Sequence, residues 1–446
     1  MSRAVQTPRA YLVCVGSELL AGQLNTHQAW LSVRLASVGF DVAGESSVPD
    51  SVGAIKTVLR HALDDSDAVI VCGGLGPTFD DVTREAAAAA LGKKLRFVPE
   101  LWSVILKRFA RYHVAVPEEN KRQAEVIGGA EVLANLAGSA PAQRLEFRWK
   151  DGRPRSLILL PGPYSEMSPI FAKVLPRLAT RHARGIGAAA LTLRLVGVPE
   201  SVADEKLDPV RARFPNASFT ILASGGEVSF HATVRARDTS SAKAELKRLR
   251  LAALHAVGRW TYGEGDATLQ AALGLRLKKN RLTLAVAESC TGGLLGGRLT
   301  SVPGSSAWFH GGIIAYADKV KTRNLGVSAA LIKKHGAVSV ECAEAMATRV
   351  RKAVGSQIGI AITGVAGPDG GTKEKPVGLV YIAVSGPGTA VRSKRHEIHG
   401  PREAVRSRAA TAALALLKET LDALAHTPGP ENASLTVPAR FHRIRS

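Results

Sequence analysis

The sequence predicts an α/β protein whose N-terminal part forms a doubly wound, mostly parallel sheet. Short apolar runs, such as residues 10–15 and 68–72, end at glycine or aspartate and are too short for helices, which is typical of buried parallel strands. Segments with helical spacing of apolar residues separate these runs, as in folds that alternate strands and helices. The 446 residues include 43 glycines, which suits many tight strand–helix turns.

The length and the cysteines limit the class of protein. A chain of 446 residues is too long for one core, so two or three domains are expected. No apolar run is long enough to span a membrane and residues 1–9 are unlike a signal peptide, so we expect no membrane partner. The four cysteines lack the spacing of a zinc site or a disulfide framework, which predicts a cytoplasmic protein.

The formal net charge of +21 raises the question of a nucleic-acid partner. The basic residues are spread along the chain, only 5% of residues are aromatic, and no recognised nucleic-acid module accompanies the charge. A basic surface attracts any ligand that carries phosphate. We therefore expect a small-molecule ligand and no specific nucleic acid.

The first domain is predicted over residues 1–180. Its apolar runs predict strands and its amphipathic segments predict helices, one of which presents the face Ile55, Val58, Leu59, Ala62 and Leu63. The predicted strands are residues 10–15, 40–43, 68–72 and 157–160, and the predicted flanking helices include residues 28–38 and 165–178.

A glycine-rich loop, residues 73–83, follows the central strand 68–72. Open α/β sheets bind ligands at the carboxyl ends of parallel strands, and glycines let the backbone approach a ligand closely. Asp80 and Asp81 could hold a hard cation through water, with Asp80 as the metal contact, whereas an aspartate-rich helix start needs no metal. The candidate ligand residues of this domain are Glu18, Gly73, Gly74, Gly76, Thr78, Asp80 and Asp81.

Residues 188–258 predict a small α+β module in the order strand, helix, two strands, helix. This order is similar to that of KH-type domains, but a Gly-x-x-Gly clamp for a nucleic-acid backbone is missing. We interpret the module as a spacer or a dimerisation element and expect a homodimer. The basic stretch 180–187 and the glycine-rich stretch 260–266 are predicted linkers, and the tail 426–446 is predicted to be disordered.

The C-terminal domain, residues 267–425, is organised around Ala287-Glu288-Ser289-Cys290-Thr291-Gly292-Gly293. A predicted strand, 282–286, leads into this turn and a small-residue helix, 294–299, leaves it. Such a turn has backbone N–H groups without helical partners, which can hold an anion or an oxyanion. The alternative is a plain strand–helix turn capped by Thr291. Ser289 and Cys290 are possible nucleophiles.

The remaining segments of this domain predict a complete strand–helix set. Ser328 and Ser339 are placed to cap two helices. The predicted helices also include residues 269–280 and 403–424, and the predicted strands are residues 312–316, 358–362 and 377–384.

Five motifs in this order resemble the CinA family, the competence/damage-inducible protein A group, in its full-length form, over about residues 10–424. They are residues 73–81, 161–167, 288–293, 336–339 and 363–378. The resemblance implies an N-terminal domain similar to the molybdopterin-binding domain of molybdenum-cofactor biosynthesis proteins, with ADP-ribose pyrophosphatase activity and a divalent cation such as Mg²⁺. It implies a C-terminal nicotinamide-nucleotide amidohydrolase of pyridine nucleotide salvage, which needs no cofactor.

The family is described as a Ser/Lys hydrolase, so the resemblance implies Ser289 as nucleophile and Lys321 as base. Tyr316 is a further candidate catalytic residue, and Arg402 is the candidate phosphate contact because a guanidinium presents paired donors to a phosphate. The candidate substrate contacts are Gly292, Gly293, Ser306 and Thr363. Two alternatives remain. Lys321 lies in a basic run with Lys319 and Arg323, which is typical of a solvated lysine, and Cys290 is the rival nucleophile.

This sequence departs from the family pattern mainly in the N-terminal domain. Ser17 stands where aspartate or threonine is usual, His27 replaces an asparagine, Ala142 replaces a glycine and Tyr164 a proline. Pro401 stands where the C-terminal motif usually has aspartate. The departures favour a degenerate N-terminal activity. Two alternatives remain for the protein: a non-catalytic nucleotide- or pterin-binding scaffold, and a DNA-associated competence factor, which the family's name and the net charge suggest.

Overall fold

The computed structural model of the chain describes residues 7–23, 25, 27–111, 113–183, 186–388 and 390–426. The predicted disordered tail lies outside the described residues from 427 onward, as do residues 184 and 185 of the predicted basic linker. The chain divides into two compact units. The first comprises residues 1–190, 215–218 and 232–249, and the second comprises residues 191–214, 219–231 and those from 250 onward.

A six-stranded sheet organises the N-terminal part of the first unit. Its elements are β1 (Arg9–Val15), α1 (Ser17–Leu20), α2 (His27–Ala36), β2 (Asp41–Val48), α3 (Val52–Asp65), β3 (Ala68–Cys72), α4 (Thr83–Leu91), β4 (Leu95–Phe97), α5 (Pro99–Ala110), a 3-10 helix (Glu118–Ala124), β5 (Glu125–Ile127), β6 (Glu131–Leu133), β7 (Ala142–Arg148), β8 (Pro154–Leu160) and α6 (Tyr164–His182). The strand order is β2-β1-β3-β8-β7-β6. Strands β2, β1, β3 and β8 are parallel to one another, β7 is antiparallel to β8, and β6 is antiparallel to β7. The predicted α/β class is confirmed.

Both faces of this sheet are covered because successive residues of a strand point to opposite sides. Val13 packs with residues of α3 and α4 on one face, whereas Leu12 packs with residues of α2 and α6 on the other. The predicted buried face of α3 is confirmed at Ile55, Leu59, Ala62 and Leu63. Strand β2 begins within residues 40–43, as predicted, and its polar half pairs with β1 up to Val48.

The middle module has the predicted order of elements. They are β9 (Gly187–Val196), α7 (Glu200–Arg213), β10 (Ala217–Ser224), β11 (Glu227–Ala236), α8 (Thr239–Val257) and β12 (Thr261–Glu264). The sheet order is β10-β11-β9-β12. The prediction of residues 260–266 as a linker is wrong, because β12 forms an antiparallel ladder with β9 through Thr261 and Leu195.

A five-stranded sheet organises the C-terminal part. Its elements are α9 (Leu269–Lys279), β13 (Leu284–Glu288), α10 (Leu294–Thr300), a 3-10 helix (Ser305–Ala307), β14 (Phe309–Ile314), α11 (Asp318–Arg323), α12 (Ala329–His335), α13 (Val340–Val354), β15 (Ile358–Gly364), β16 (Leu379–Ser385), β17 (Arg392–Glu397) and α14 (Arg402–His426). The order is β14-β13-β15-β16-β17. Strands β14, β13 and β15 are parallel to one another, β16 is antiparallel to β15, and β17 is antiparallel to β16. The carboxyl ends of the three parallel strands therefore share one edge.

Two apolar layers sandwich this sheet. Val286 packs with residues of α9 and α14, and Ala287 packs on the other face with residues of α13. The predicted caps are confirmed, since the hydroxyl of Ser328 accepts from the N–H of Leu331 and that of Ser339 from the N–H of Cys342. Across the described residues, no helix is long and apolar enough to cross a membrane.

Candidate functional site

Ser289 lies at the carboxyl end of the central parallel strand of the C-terminal sheet. It follows the last residue of β13, and its N–H donates to the carbonyl of Ile362 on β15 at 3.0 Å. On the other side of β13, the N–H of Ala315 donates to the carbonyl of Glu288 at 2.7 Å. Backbone bonds to both neighbouring strands therefore fix the position of Ser289, whose residue surface is 7% exposed.

The N-terminal amides of α10 are occupied by a carboxylate of the same turn. Glu288, which is 1% exposed, accepts from the N–H of Gly293 at 3.0 Å, of Leu295 at 3.1 Å and of Gly296 at 2.8 Å. A carboxylate at this end of a helix also complements its dipole. The prediction that these amides are free to hold an anion is therefore wrong, and so is the alternative that Thr291 caps the helix, since the cap position is Gly293.

Lys321 is buried, although its sequence neighbourhood is basic. It is 2% exposed, and its Nζ donates to the carbonyl of Tyr316 at 3.1 Å and lies 3.4 Å from a carboxylate oxygen of Asp318. Tyr316 directly follows Ala315, the residue that pairs with Glu288 beside Ser289. The interpretation of Lys321 as a solvated lysine is therefore wrong, and its side-chain nitrogen is held at the strand edge that carries Ser289.

Arg402 reaches this edge from the start of α14. Its guanidinium donates to the hydroxyl of Tyr316 at 3.2 Å and to the carbonyl of Gly367 at 2.6 Å. Tyr316 is 59% exposed, so this pair lies at the open side of the edge. The structure thus joins Lys321 and Arg402 through Tyr316 at the sheet edge that carries Ser289, although 86 residues separate Tyr316 from Arg402 in sequence.

The two other predicted contacts lie at opposite ends of the sheet. Thr363 follows Ile362 at the Ser289 edge, where its hydroxyl donates to the carbonyl of Ala337 at 2.7 Å. Ser306 precedes β14, whose first residue pairs with Leu284 at the amino end of β13. The structure therefore does not bring Ser306 to Ser289 within the chain, and its substrate contact stays a prediction.

Sequence reasoning missed a second arginine of α14. Arg406 donates to the carbonyl of Thr291 at 2.9 Å, so it holds the turn that contains Ser289. Its spacing of four residues from Arg402 could have predicted this role, because residues four apart lie on one face of a helix. Gly292 has φ 59°, and a Cβ atom there would lie 3.7 Å from the Arg406 guanidinium.

Cys290 is unsuited to be the nucleophile at neutral pH. Burial raises the pKa of its thiol to about 11, and the nearby Glu288 carboxylate acts in the same direction, although two backbone N–H groups oppose it. The thiolate is the reactive form of cysteine. The thiol is therefore protonated at neutral pH, which favours Ser289.

In the first unit, all seven predicted ligand residues line one cavity of about 410 Å³. They are Glu18, Gly73, Gly74, Gly76, Thr78, Asp80 and Asp81. The sequence analysis did not assign the wall opposite the loop, which includes Asp50, Gln123, Ser139 and Glu166. The motif of residues 138–142, which contains Ser139, could have predicted this wall from the sequence. Gly73 has φ 102°, and a side chain there would collide with the carbonyl of Val15, so the strand ends can approach closely.

Two arginines and one aspartate shape this loop. Arg84 is buried and donates to the carbonyls of Leu75 at 2.6 Å and Gly76 at 3.1 Å, while Arg122 donates to the carbonyl of Thr78 at 2.7 Å. Asp81 accepts from the N–H groups of Gly76 at 2.8 Å and Thr78 at 2.9 Å. Both oxygens of Asp81 are thus used to close the loop.

Because both oxygens of Asp81 accept hydrogen bonds within the loop, they affect whether the loop can bind the proposed cation. Within the described ranges, no three His, Cys, Asp or Glu side chains lie close enough together to hold a metal ion. Asp80 is exposed and lines the cavity. Among the described residues the side chains do not form a metal site, so Asp80 as a metal contact stays a prediction from the sequence.

The different surroundings of the two aspartates give a test. Asp81→Ala removes two backbone contacts of the loop and is expected to lower the melting temperature of the protein, whereas Asp80→Ala, at an exposed position, should leave it unchanged. Both variants should retain the C-terminal activity proposed below, and metal-dependent hydrolysis of ADP-ribose should be weak already in the parent. Differential scanning calorimetry and a chromatographic assay of the AMP formed from ADP-ribose check this. Robust ADP-ribose hydrolysis that Asp80→Ala abolishes would contradict it.

Comparison with protein families defines the class of protein. The family model described as "CinA C-terminal domain" matches residues 266–421, and the one described as "Probable molybdopterin binding domain" matches residues 11–180. The chain therefore combines a molybdopterin-binding type of N-terminal domain with a CinA C-terminal domain.

Full-length relatives share this organisation of sequence. The chain is 41% identical over 415 residues to a CinA-like protein of Koribacter versatilis, covering 92% of this chain and 99% of that protein. It is 42% identical over 428 residues to a CinA-like protein of Frankia casuarinae, covering 93% and 97%. The chain belongs to the CinA family, as the five motifs predicted.

Solved structures match part of the chain. A crystal structure of a Competence-Damaged Protein (CinA) superfamily protein from Klebsiella pneumoniae is 34% identical, with a TM-score of 0.34. The match covers 35% of this chain and 96% of that chain.

Proposed function

We propose that the C-terminal domain is an amidohydrolase that converts nicotinamide mononucleotide and water into nicotinate mononucleotide and ammonia. The observation that supports this best is the burial of Lys321 at the same sheet edge as Ser289, with Arg402 bonded to Tyr316 at the open side. Amide hydrolysis of this type needs a nucleophile, a base and an oxyanion site. The substrate is the one that the family resemblance implies.

In the proposed reaction the Ser289 hydroxyl attacks the carboxamide carbon and transfers its proton to Nζ of Lys321, which acts as the base. The C–N bond then breaks, and Lys321 returns the proton to the departing NH₂ group, so that ammonia leaves and an ester on Ser289 remains. Water then attacks the ester and gives a proton to Lys321, which returns it to the departing Ser289 oxygen, so that nicotinate mononucleotide leaves and Ser289 is restored. The N–H groups of Gly293, Leu295 and Gly296 are not available as oxyanion donors, because the Glu288 carboxylate accepts from all three.

The direct test is ammonia release from nicotinamide mononucleotide by the purified full-length protein, measured with a coupled dehydrogenase assay. We expect turnover with nicotinamide mononucleotide and much less with nicotinamide alone, because Arg402 has no phosphate to bind in the smaller compound. Binding of the nucleotide without ammonia release would replace the amidase by a non-catalytic scaffold. Neither binding nor turnover would reject the proposal altogether.

Arg402→Ala is expected to raise KM by a factor on the order of ten to a hundred, the loss typical of a hydrogen bond to a charged group. A phosphate contact remote from the amide binds the ground state and the transition state alike, so kcat should change little. Steady-state kinetics measure the changes in KM and in kcat separately. Arg395→Ala, which removes an exposed arginine of β17, is the matched control and should leave KM unchanged. A fall in kcat alone for Arg402→Ala would contradict the assigned role.

A further inference from the structure

A second cleft lies in the first unit, next to the cavity of the glycine-rich loop. It has a volume of about 400 Å³ and is formed by α5 and the segment 132–141. Its apolar lining consists of Leu101, Val104, Ile105, Val132, Leu136 and Pro141. Neither the family motifs nor the proposed amidase accounts for it.

The apolar wall of this cleft is open to solvent. Val104 is 63% exposed and Leu136 is 83% exposed, although both are large aliphatic side chains. Single exposed apolar residues are common on protein surfaces, but here two of them border one concave site. Covering them with an apolar group would remove unfavourable surface from water.

The rim of the cleft is positively charged. Lys107, Arg108 and Arg111 line it, and none of the three forms an ion pair with a carboxylate of the described residues. Arg108 donates to the carbonyls of Leu136 and Ala137, which are neutral, so its charge is not compensated. An occupant with a negative charge is therefore favoured.

A short strap, residues 135–139, separates this cleft from the loop cavity, and Ser139 lines both spaces. Asn135 donates to the carboxylate of Glu166 at 2.6 Å on the loop-cavity side and accepts from the N–H of Gly138 at 2.7 Å. A side chain at Gly138 would collide with that same carboxylate. Arg108 holds the strap from the other side.

We propose that this cleft binds a small amphiphilic anion, a molecule with an apolar body and one carboxylate, sulfonate or phosphate group. The apolar body would contact Val104 and Leu136, and the anionic group would meet Lys107 and Arg111 at the rim. A volume of about 400 Å³ fits a small organic molecule. Because the strap also borders the loop cavity, the occupant orders the wall of that cavity.

The probe for this proposal is 8-anilinonaphthalene-1-sulfonate, titrated into the full-length protein and followed by its fluorescence. We expect saturable binding, with a dissociation constant that rises about tenfold or more in Val104→Glu and in Arg111→Glu, because each places a negative charge against the sulfonate. Leu275→Glu changes an apolar residue of α9 that is 71% exposed and serves as the matched control, with unchanged binding. N-phenyl-1-naphthylamine, which lacks the sulfonate, should bind at least about tenfold more weakly.

Hydrogen exchange gives a second readout. The probe should slow amide exchange in peptides that contain residues 135–139, and it should not do so in Val104→Glu. Equal binding of the probe to the parent and to both variants, or equal binding of the uncharged analogue, would overturn the proposal. Sedimentation that shows a dimer dissociated by Val104→Glu would assign the cleft to a second copy of the chain instead.

Discussion

Ser289→Ala is expected to lower the turnover of nicotinamide mononucleotide at least about a thousandfold, as the loss of a covalent nucleophile generally does. Backbone bonds to Ile362 and, through Glu288, to Ala315 fix this position, so the variant should keep the fold. The melting temperature should therefore remain close to that of the parent. Initial rates of ammonia release at saturating substrate measure the effect, and trapping of an acyl-enzyme in the parent alone would support it.

Cys290→Ala is the matched control one residue away. Its thiol is buried and protonated at neutral pH, so the variant should lose only packing and retain most of the turnover. For the same reason, iodoacetamide at neutral pH should leave the parent active. An active Ser289→Ala variant beside an inactive Cys290→Ala variant would replace the proposed mechanism by one that uses the thiol.

Lys321→Met should lower turnover nearly as far as Ser289→Ala does, because it removes the only group in the proposal that accepts and returns the proton. Methionine keeps the length of the apolar stem, which suits a residue that is 2% exposed. The rate of ammonia release measures the loss, and circular dichroism checks the fold. Lys319→Met, at an exposed position two residues away on the same helix, is the matched control and should be fully active.

The two residues should behave as one unit. The double variant Ser289→Ala, Lys321→Met is expected to be little slower than either single variant, because each change already disables the same step. If the fold losses in turnover of the two single variants multiplied in the double variant, a shared step would be contradicted. A Lys321→Met variant with parental turnover would assign the base to another group.

The sequence by itself determined the fold class and most of the elements. Short apolar runs such as 68–72 and 358–362 can be buried on both faces only as central strands, and the structure has β3 and β15 there. The serines that cap α12 and α13 were readable because capping depends on local spacing. Motifs that contain glycine and proline were sufficient for the family.

Strands that carry several charged or polar residues could not be predicted from the sequence. β7 and β17 carry several charged residues, so neither run shows the apolar pattern of a buried strand. The short β12 was interpreted as a linker, because its pairing partner on β9 lies far away in sequence. Backbone ladders form between segments, and a single segment does not encode them.

Tertiary structure alone decided the state of the candidate site. The basic run around Lys321 predicts a solvated lysine as readily as a base, and only the packing around α11 buries it. The turn after β13 predicts free amides, but the side chain of Glu288 folds back onto them. Burial and hydrogen bonding depend on which distant segments meet. For that reason the sequence supplied the residue types of this site, and the fold determined which of them are buried, bonded or free.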